Sequence, residues 1–266
     1  MSIRDASPLL YAGSALYLAV FFASTIIYGL IVGLVAWALN PRWRFVLIRQ
    51  WSAINLFALR VFCGLRWRVE GLENLPDQPV VVFPKHQSTW ETIALGGLLP
   101  PTVWVVKREL LWVPFFGWGI AAMRSIAIDR RAGRAAVEQM LEQGRRRLEQ
   151  GLWVVVFPEG TRVLPGRTTR YRMGGAILAT ETGTPVLPVA HNAGDFWPRH
   201  SFVKRPGEIV LKILPPIESR GLTPDELNER ASDAIEAEMA RISIHGAADT
   251  SAEALNAKGG TTNERE

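Results

Sequence analysis

Cysteine occurs once, at Cys63, so no internal disulfide can form and no cysteine pair exists to begin a zinc or iron–sulfur site. That usage points to chemistry in a reducing cytoplasm. Histidine is nearly as scarce: His86, His191, His200 and His245 are the full set, and none belongs to a group with metal-ligand spacing. No metal is expected. There is no internal repeat, and no nucleic-acid recognition motif to account for the basic side chains. Asp and Glu are missing between Asp5 and Glu70, and charge of either sign is missing from Leu9 to Leu39.

The uncharged run is 31 residues long. As a helix it would extend ~46 Å against a hydrocarbon core of ~30 Å, enough to span with tilt. Ala36-Trp37-Ala38 resembles a signal-peptide cleavage site, but the run is about twice the usual apolar region of a signal peptide and is read as a retained anchor. Arg42, Arg44, Arg49, Arg60, Arg66 and Arg68 follow it, which assigns the rest of the chain to the cytoplasmic side. Residues 45–62 are apolar at near-helical spacing, with Trp43 and Trp51 suited to headgroup level and Arg49 and Arg60 able to snorkel. Hydropathy leaves open whether these two helices form a hairpin in one leaflet or a span plus a surface helix, because either satisfies its backbone internally. Gly29 and Gly33 form a GxxxG pair, read as close packing.

Formal charge is +5 and unevenly placed: 26 Lys and Arg against 15 Asp and Glu before residue 223, then 4 against 10. A basic body beside an apolar anchor fits an anionic membrane surface better than nucleic acid. After Arg66, β-rich runs alternate with helical stretches: 66–71, 79–83, 102–106, 152–157, 185–190 and 208–214. Residues 132–150 form an amphipathic helix stopped at Gly151. Thr223 and Glu226 make a capping box with Pro224 at the first helical position, opening a helix to about Ile244. The fold class is α/β, a mixed sheet flanked by helices, with an N-terminal membrane-embedded helical segment. Its parts are anchoring helices at 1–64, an α/β domain at 65–245 and a disordered tail at 246–266.

Two constellations carry chemistry. In KHQSTWET, His86 follows the strand-forming PVVVF and Glu91 lies five residues on, past a Ser-Thr pair suited to start a helix. On one continuous helix the two side chains would point about 140° apart, so His86 must sit in the turn ahead for Glu91 to reach back. A carboxylate on one imidazole nitrogen fixes the tautomer and leaves the other to take a proton from a substrate hydroxyl. The bland alternative is a surface histidine near an unrelated helix glutamate. In FPEGTR, Phe157 to Arg162 leave the strongest strand run; Arg162 offers a planar fork to phosphate, Gly160 lets backbone approach, and Glu159 is placed to orient the arginine or a hydroxyl. A salt-bridged turn is the competing reading there. Backbone N–H groups of the HQSTW turn, several of them left unpaired by a helix start, are candidate donors to a developing negative charge. The stretch LLWVPFFGWG, 110–119, is either exposed apolar surface facing the bilayer or a buried loop core.

These residues resemble the glycerolipid acyltransferases. The HxxxxD motif of that family corresponds to His86 and Glu91, its FPEGTR is matched at 157–162, its middle block resembles 107–119 with 128–130, and a fourth motif resembles PVLPVA at 185–190. The resemblance covers about residues 66–215 and departs in two places, Glu91 for the usual Asp and Lys85 for a frequent Asn. Glu keeps the carboxylate and so the dyad. Lys85 beside the histidine would either keep the base neutral or point at lipid phosphate.

The resemblance implies an enzyme of bacterial-type inner membranes that moves an acyl group from acyl-CoA or acyl carrier protein to a lysophospholipid such as lysophosphatidic acid, giving phosphatidic acid. His86 would be general base and Glu91 its partner, with Lys107, Arg130, Glu159, Gly160, Thr161 and Arg162 binding substrate, and no cofactor beyond the acyl donor. Glycerol-3-phosphate or lyso-ornithine lipid as acceptor, and a non-catalytic lipid carrier, are the alternatives.

Overall fold

The computed structural model describes residues 7–35 and 41–245. The expected tail at 246–266 and the Ala36–Ala38 stretch lie outside the described residues. Helix α1 (Pro8–Val35) opens on a proline, whose missing N–H costs nothing in a first turn, and continues through the uncharged run. Helix α2 (Pro41–Cys63) returns antiparallel to it. Asn55 Nδ2 donates to Ser24 Oγ at 3.1 Å at mid-length, and the Cys63 thiol lies 3.7 Å from Gly13 O near the far end. Both helices are long and apolar enough to cross a membrane by length and composition.

One seven-stranded sheet forms the body: β1 (Leu65–Glu70), β2 (Val81–Pro84), β3 (Thr102–Lys107), β4 (Ile126–Ile128), β5 (Trp153–Val155), β6 (Val186–His191) and β7 (Gly207–Ile213), in the order β1-β7-β6-β2-β5-β3-β4. Every neighbouring pair is parallel except β6 with β7, so the sheet is mixed. Six strands match the β-rich runs within a few residues. β4 was not expected, because three residues give period-2 alternation too little length to register.

Strand β2 shows why a run such as PVVVF is apolar throughout. Val80 and Val82 face one layer and Val81 and Phe83 the other, as side chains alternate along a strand, and helices cover both faces. On the first face lie α1, α2, α3 (Trp90–Leu98) and α7 (Ala193–Phe196); Tyr17, Leu56 and Leu59 share that core with Trp90, Leu187 and Leu211. The anchor is therefore packed into the domain, although the sequence divides near residue 64. On the second face α5 (Arg134–Glu149), α6 (Gly174–Thr182) and α8 (Pro224–Ile242) contribute Met140, Leu178, Leu227 and Ile235. The capping box is formed, with Thr223 Oγ1 accepting from Glu226 N–H at 3.3 Å and Glu226 Oε2 accepting from Thr223 N–H at 2.8 Å.

Helix α1 touches the domain near both of its ends. Tyr11 stacks on Phe202 and Ser14 Oγ accepts from Lys204 N–H at 3.0 Å, while Gly29 and Gly33 meet Phe115 and Trp118 beside α4 (Phe116–Ala122). Its other side leaves Leu16, Phe22, Ile27 and Leu34 exposed. The helix thus lies along the domain with an uncovered apolar flank.

Candidate active site

Strand β2 ends at Pro84, and the chain turns through Lys85 to Thr89 before α3 begins at Trp90. His86 sits in that turn and Glu91 in the first turn of the helix, where the carboxylate reaches back as the spacing requires. Glu91 Oε1 lies 2.9 Å from His86 Nδ1 and also accepts the N–H of Gln87 at 3.1 Å and of Ser88 at 2.9 Å; Oε2 accepts Ser88 N–H at 3.1 Å. Burial alone would push this fully buried carboxyl up, but His191 and His86, together with the Ser88 N–H, outweigh it and hold Glu91 below its ordinary range. An ionised Glu91 makes Nδ1 the protonated ring nitrogen and leaves Nε2 to accept a proton. The imidazole is stacked on Phe157 with ring centroids 3.8 Å apart, which fixes the plane it presents.

Four of the five backbone donors of the HQSTW turn are already engaged. The N–H groups of Gln87 and Ser88 are taken by Glu91, that of His86 by Glu159 Oε2 at 2.6 Å, and that of Trp90 by Ser88 Oγ at 3.2 Å. These donors build the dyad and are not aimed at an oxyanion.

FPEGTR leaves β5 beside this turn. Glu159 is 3 % exposed and turned inward, its Oε1 2.8 Å from Lys85 Nζ. Expected to orient Arg162 or a substrate hydroxyl, it instead braces the His86 backbone from behind, because a carboxylate that deep needs a cation and a donor. Burial pushes its carboxyl up to about 7, against the opposing pull of Lys85 and the His86 N–H. Lys85 is itself 1 % exposed, with Nζ also 2.6 Å from Glu236 Oε1 on α8, so it points at no lipid phosphate. Gly160 takes φ 69, and a Cβ there would stand 2.3 Å from Arg172 Nε, so both conformation and space favour glycine.

A cavity of about 430 Å³ opens against His86. Its lining includes Lys107, Gly160, Thr161, Arg162, Arg199 and His200, and α1, α2 and α4 contribute apolar wall through residues such as Val32, Ile48 and Phe116. Four of the expected substrate-binding residues therefore converge with His86. Arg130 opens a short turn at Arg130–Ala132; its side chain lies outside what is described. Arg199 and His200 carried no motif, and only the fold brings them here; Arg199 donates to Arg162 O at 2.7 Å.

His191, left without a role by the sequence, is fully buried 3.9 Å from Glu91 Oε2. Burial pushes its imidazole down against the pull of Glu91, and the neutral ring donates Nε2–H to Lys85 O at 2.7 Å while Nδ1 accepts from Ala193 N–H at 3.3 Å. It pins the strand end from which the turn departs. No group of three or more His, Cys, Asp and Glu suited to a metal occurs among the described residues.

The segment 110–119 is divided between exposed surface and cavity wall. Trp112 is 83 % exposed, whereas Phe115 and Phe116 line the cavity. Gly29 makes that possible, since a Cβ on it would stand 2.6 Å from the Phe115 Cβ and carbonyl oxygen. Gly29→Leu is expected to push Phe115 off the cavity wall at a cost of about 1–3 kcal/mol. A lowered Tm in detergent, with turnover of long-chain donors falling more than that of short-chain donors, is the result to look for.

An Acyltransferase family model matches residues 66–192. The 1-acyl-sn-glycerol-3-phosphate acyltransferase of Pseudomonas aeruginosa is 43% identical over 235 residues, 86% of this chain and 91% of that protein. Human 1-acyl-sn-glycerol-3-phosphate acyltransferase alpha is 33% identical over 177 residues, 65% of this chain and 62% of that one. The crystal structure of a 1-acyl-sn-glycerophosphate (LPA) acyltransferase from Thermotoga maritima aligns with TM-score 0.73 and 24% identity, over 86% of this chain and 94% of that one. At that identity the shared property is the fold.

Proposed function

This chain belongs to the acyltransferase family, and from that premise we propose that it acylates the free sn-2 hydroxyl of 1-acylglycerol-3-phosphate to give phosphatidic acid. The observation that carries the reading is one cavity lined by the Glu-held His86, by the cations Lys107, Arg162 and Arg199, and by apolar residues of α1, α2 and α4. The names of the relatives supply the acceptor.

His86 Nε2 takes the proton of the acceptor hydroxyl as its oxygen attacks the thioester carbonyl. The developing imidazolium is stabilised by Glu91 without transfer of the second proton. The tetrahedral intermediate collapses, the C–S bond breaks, and the leaving sulfur takes the proton from Nε2 and departs as the thiol, which restores the neutral base. Coenzyme A and acyl carrier protein both present such a thioester, and either serves as donor in this scheme. Arg162 and Lys107 hold the acceptor phosphate, with Thr161 and the Gly160 backbone beside it. Glu159 acts behind the site, on the His86 backbone.

The exposed apolar flank of α1, with both helix ends against the domain, supports a hairpin embedded in one leaflet. The arginine-rich flank and the basic body support a site on the cytoplasmic face of an inner membrane, over anionic lipid.

Acceptor choice tests the reading. Arg162→Ala should raise KM for lysophosphatidic acid roughly 10- to 100-fold, the worth of a hydrogen bond to a charged group, with a smaller change in kcat. A lyso-ornithine lipid acylated as fast as lysophosphatidic acid by wild type, with no response to Arg162→Ala, would transfer the reading to the other acceptor.

A further inference from the structure

Lys85 stands immediately before the base, yet its ammonium turns away from the cavity into a pocket among β2, the FPEGTR loop and α8. There it meets two carboxylates, Glu159 and Glu236. Glu236 Oε1 also accepts the Tyr171 hydroxyl at 3.0 Å, and Asn228, two turns earlier on α8, donates Nδ2–H to Tyr171 O at 3.2 Å. From Glu236 a continuous path runs through Lys85 Nζ to Glu159, and from Glu159 Oε2 to the His86 N–H. Each contact is charge-assisted and largely shielded from water, where such bonds are strongest and least tolerant of a missing partner.

We propose that Glu236 and Tyr171 are positioning residues for the base, acting through Lys85 and Glu159 to hold the His86 backbone. The inference rests on the acyl-transfer reading of His86. Neither residue lines the cavity. They work by a division of the Lys85 charge: with Glu236 in place, Glu159 shares the cation and keeps one oxygen for the His86 N–H. Without it, Lys85 draws on Glu159 alone, and the turn that carries His86 loses its fixed register against Glu91. A shift of a fraction of an ångström in a general base is felt in turnover before it is felt in binding.

The test compares wild type, Glu236→Gln, Tyr171→Phe, Lys85→Asn and Lys85→Asn/Glu236→Gln as full-length protein in detergent micelles. Glu236→Gln keeps shape and removes charge; kcat for acyl transfer to lysophosphatidic acid should fall about tenfold with KM within about twofold, and Tyr171→Phe should show a smaller fall. Amide hydrogen exchange of a peptide covering residues 85–88 should accelerate by about the same factor while exchange in β3 and β7 stays at the wild-type rate. The double variant should be no slower than Lys85→Asn, because both substitutions cut one path.

Folded Glu236→Gln with wild-type kcat and wild-type exchange at 85–88 overturns the proposal, as does full additivity in the double variant. Should Glu236→Gln fail to fold, Tyr171→Phe decides by the same two readouts. Exchange is read without substrate. A wild type silent toward lysophosphatidic acid would therefore sink the acyl-transfer reading while still reporting whether Glu236 holds the turn.

Discussion

Replacing His86 with Gln is expected to lower kcat for acyl transfer by about 10²- to 10⁴-fold, the range attributable to a positioned general base. Gln keeps a hydrogen-bonding head of similar reach, so its amide can still donate to Glu91, but it has no nitrogen basic enough to take the hydroxyl proton. KM for acceptor and donor should change little, because the cavity residues Arg162 and Lys107, proposed to hold the phosphate, and the apolar wall are untouched. Stability should be nearly unaffected, since His86 is partly open to the cavity. A loss confined to kcat is the signature of an interaction made in the transition state.

Glu91→Ala should lower turnover almost as far and also lower stability. Glu91 satisfies the buried N–H groups of Gln87 and Ser88 as well as the ring N–H of His86. Each buried donor left unpartnered costs about 1–3 kcal/mol, so a total of several kcal/mol is at stake. The pH dependence has a definite sign. The folded-state pKa of Glu91 lies below its unfolded value. Its stabilising contribution is therefore complete above the ordinary carboxylate range and lost as pH falls through the folded value. Resistance of wild type to denaturant should fall in acid over that window, and Glu91→Ala should start lower and show a flatter acid limb. Glu91→Asp is expected to fall between the two, as it keeps the charge but lacks a methylene of reach in a helix whose start is set for Glu.

The dyad was legible in the sequence because its logic is local. With Glu91 five positions after His86, the two side chains can meet only if the histidine lies ahead of the helix, and the structure has them 2.9 Å apart. The sheet was legible because doubly buried strands such as PVVVF must be apolar on both sides. Four substrate-side residues, Lys107, Gly160, Thr161 and Arg162, meet His86 in one cavity through the ordered motifs. Glu159 was misjudged for a physical reason: its neighbour Arg162 is three residues away, while the partners it uses, Lys85 and the His86 N–H, are more than seventy residues back and adjacent only through β2 and β5. Lys85 itself is unreadable without α8, since its second acid, Glu236, sits far along the chain. Of the backbone donors considered for the oxyanion, those of Gln87 and Ser88 go to Glu91 and that of His86 to Glu159, which a count of N–H groups in the turn cannot foresee. His191 and Arg199 carry no local pattern at all; folding alone brings each to the site.

The central claim is that His86, held by Glu91, transfers acyl groups to lysophosphatidic acid. It is tested most directly by incubating purified wild type and His86→Gln with labelled long-chain acyl-CoA, or with acyl carrier protein as donor, and following labelled phosphatidic acid. Wild type should form it with at least one donor, and folded His86→Gln should form it at least about 10²-fold more slowly. Equal rates from the two proteins, or no phosphatidic acid from wild type with either donor, would contradict the account.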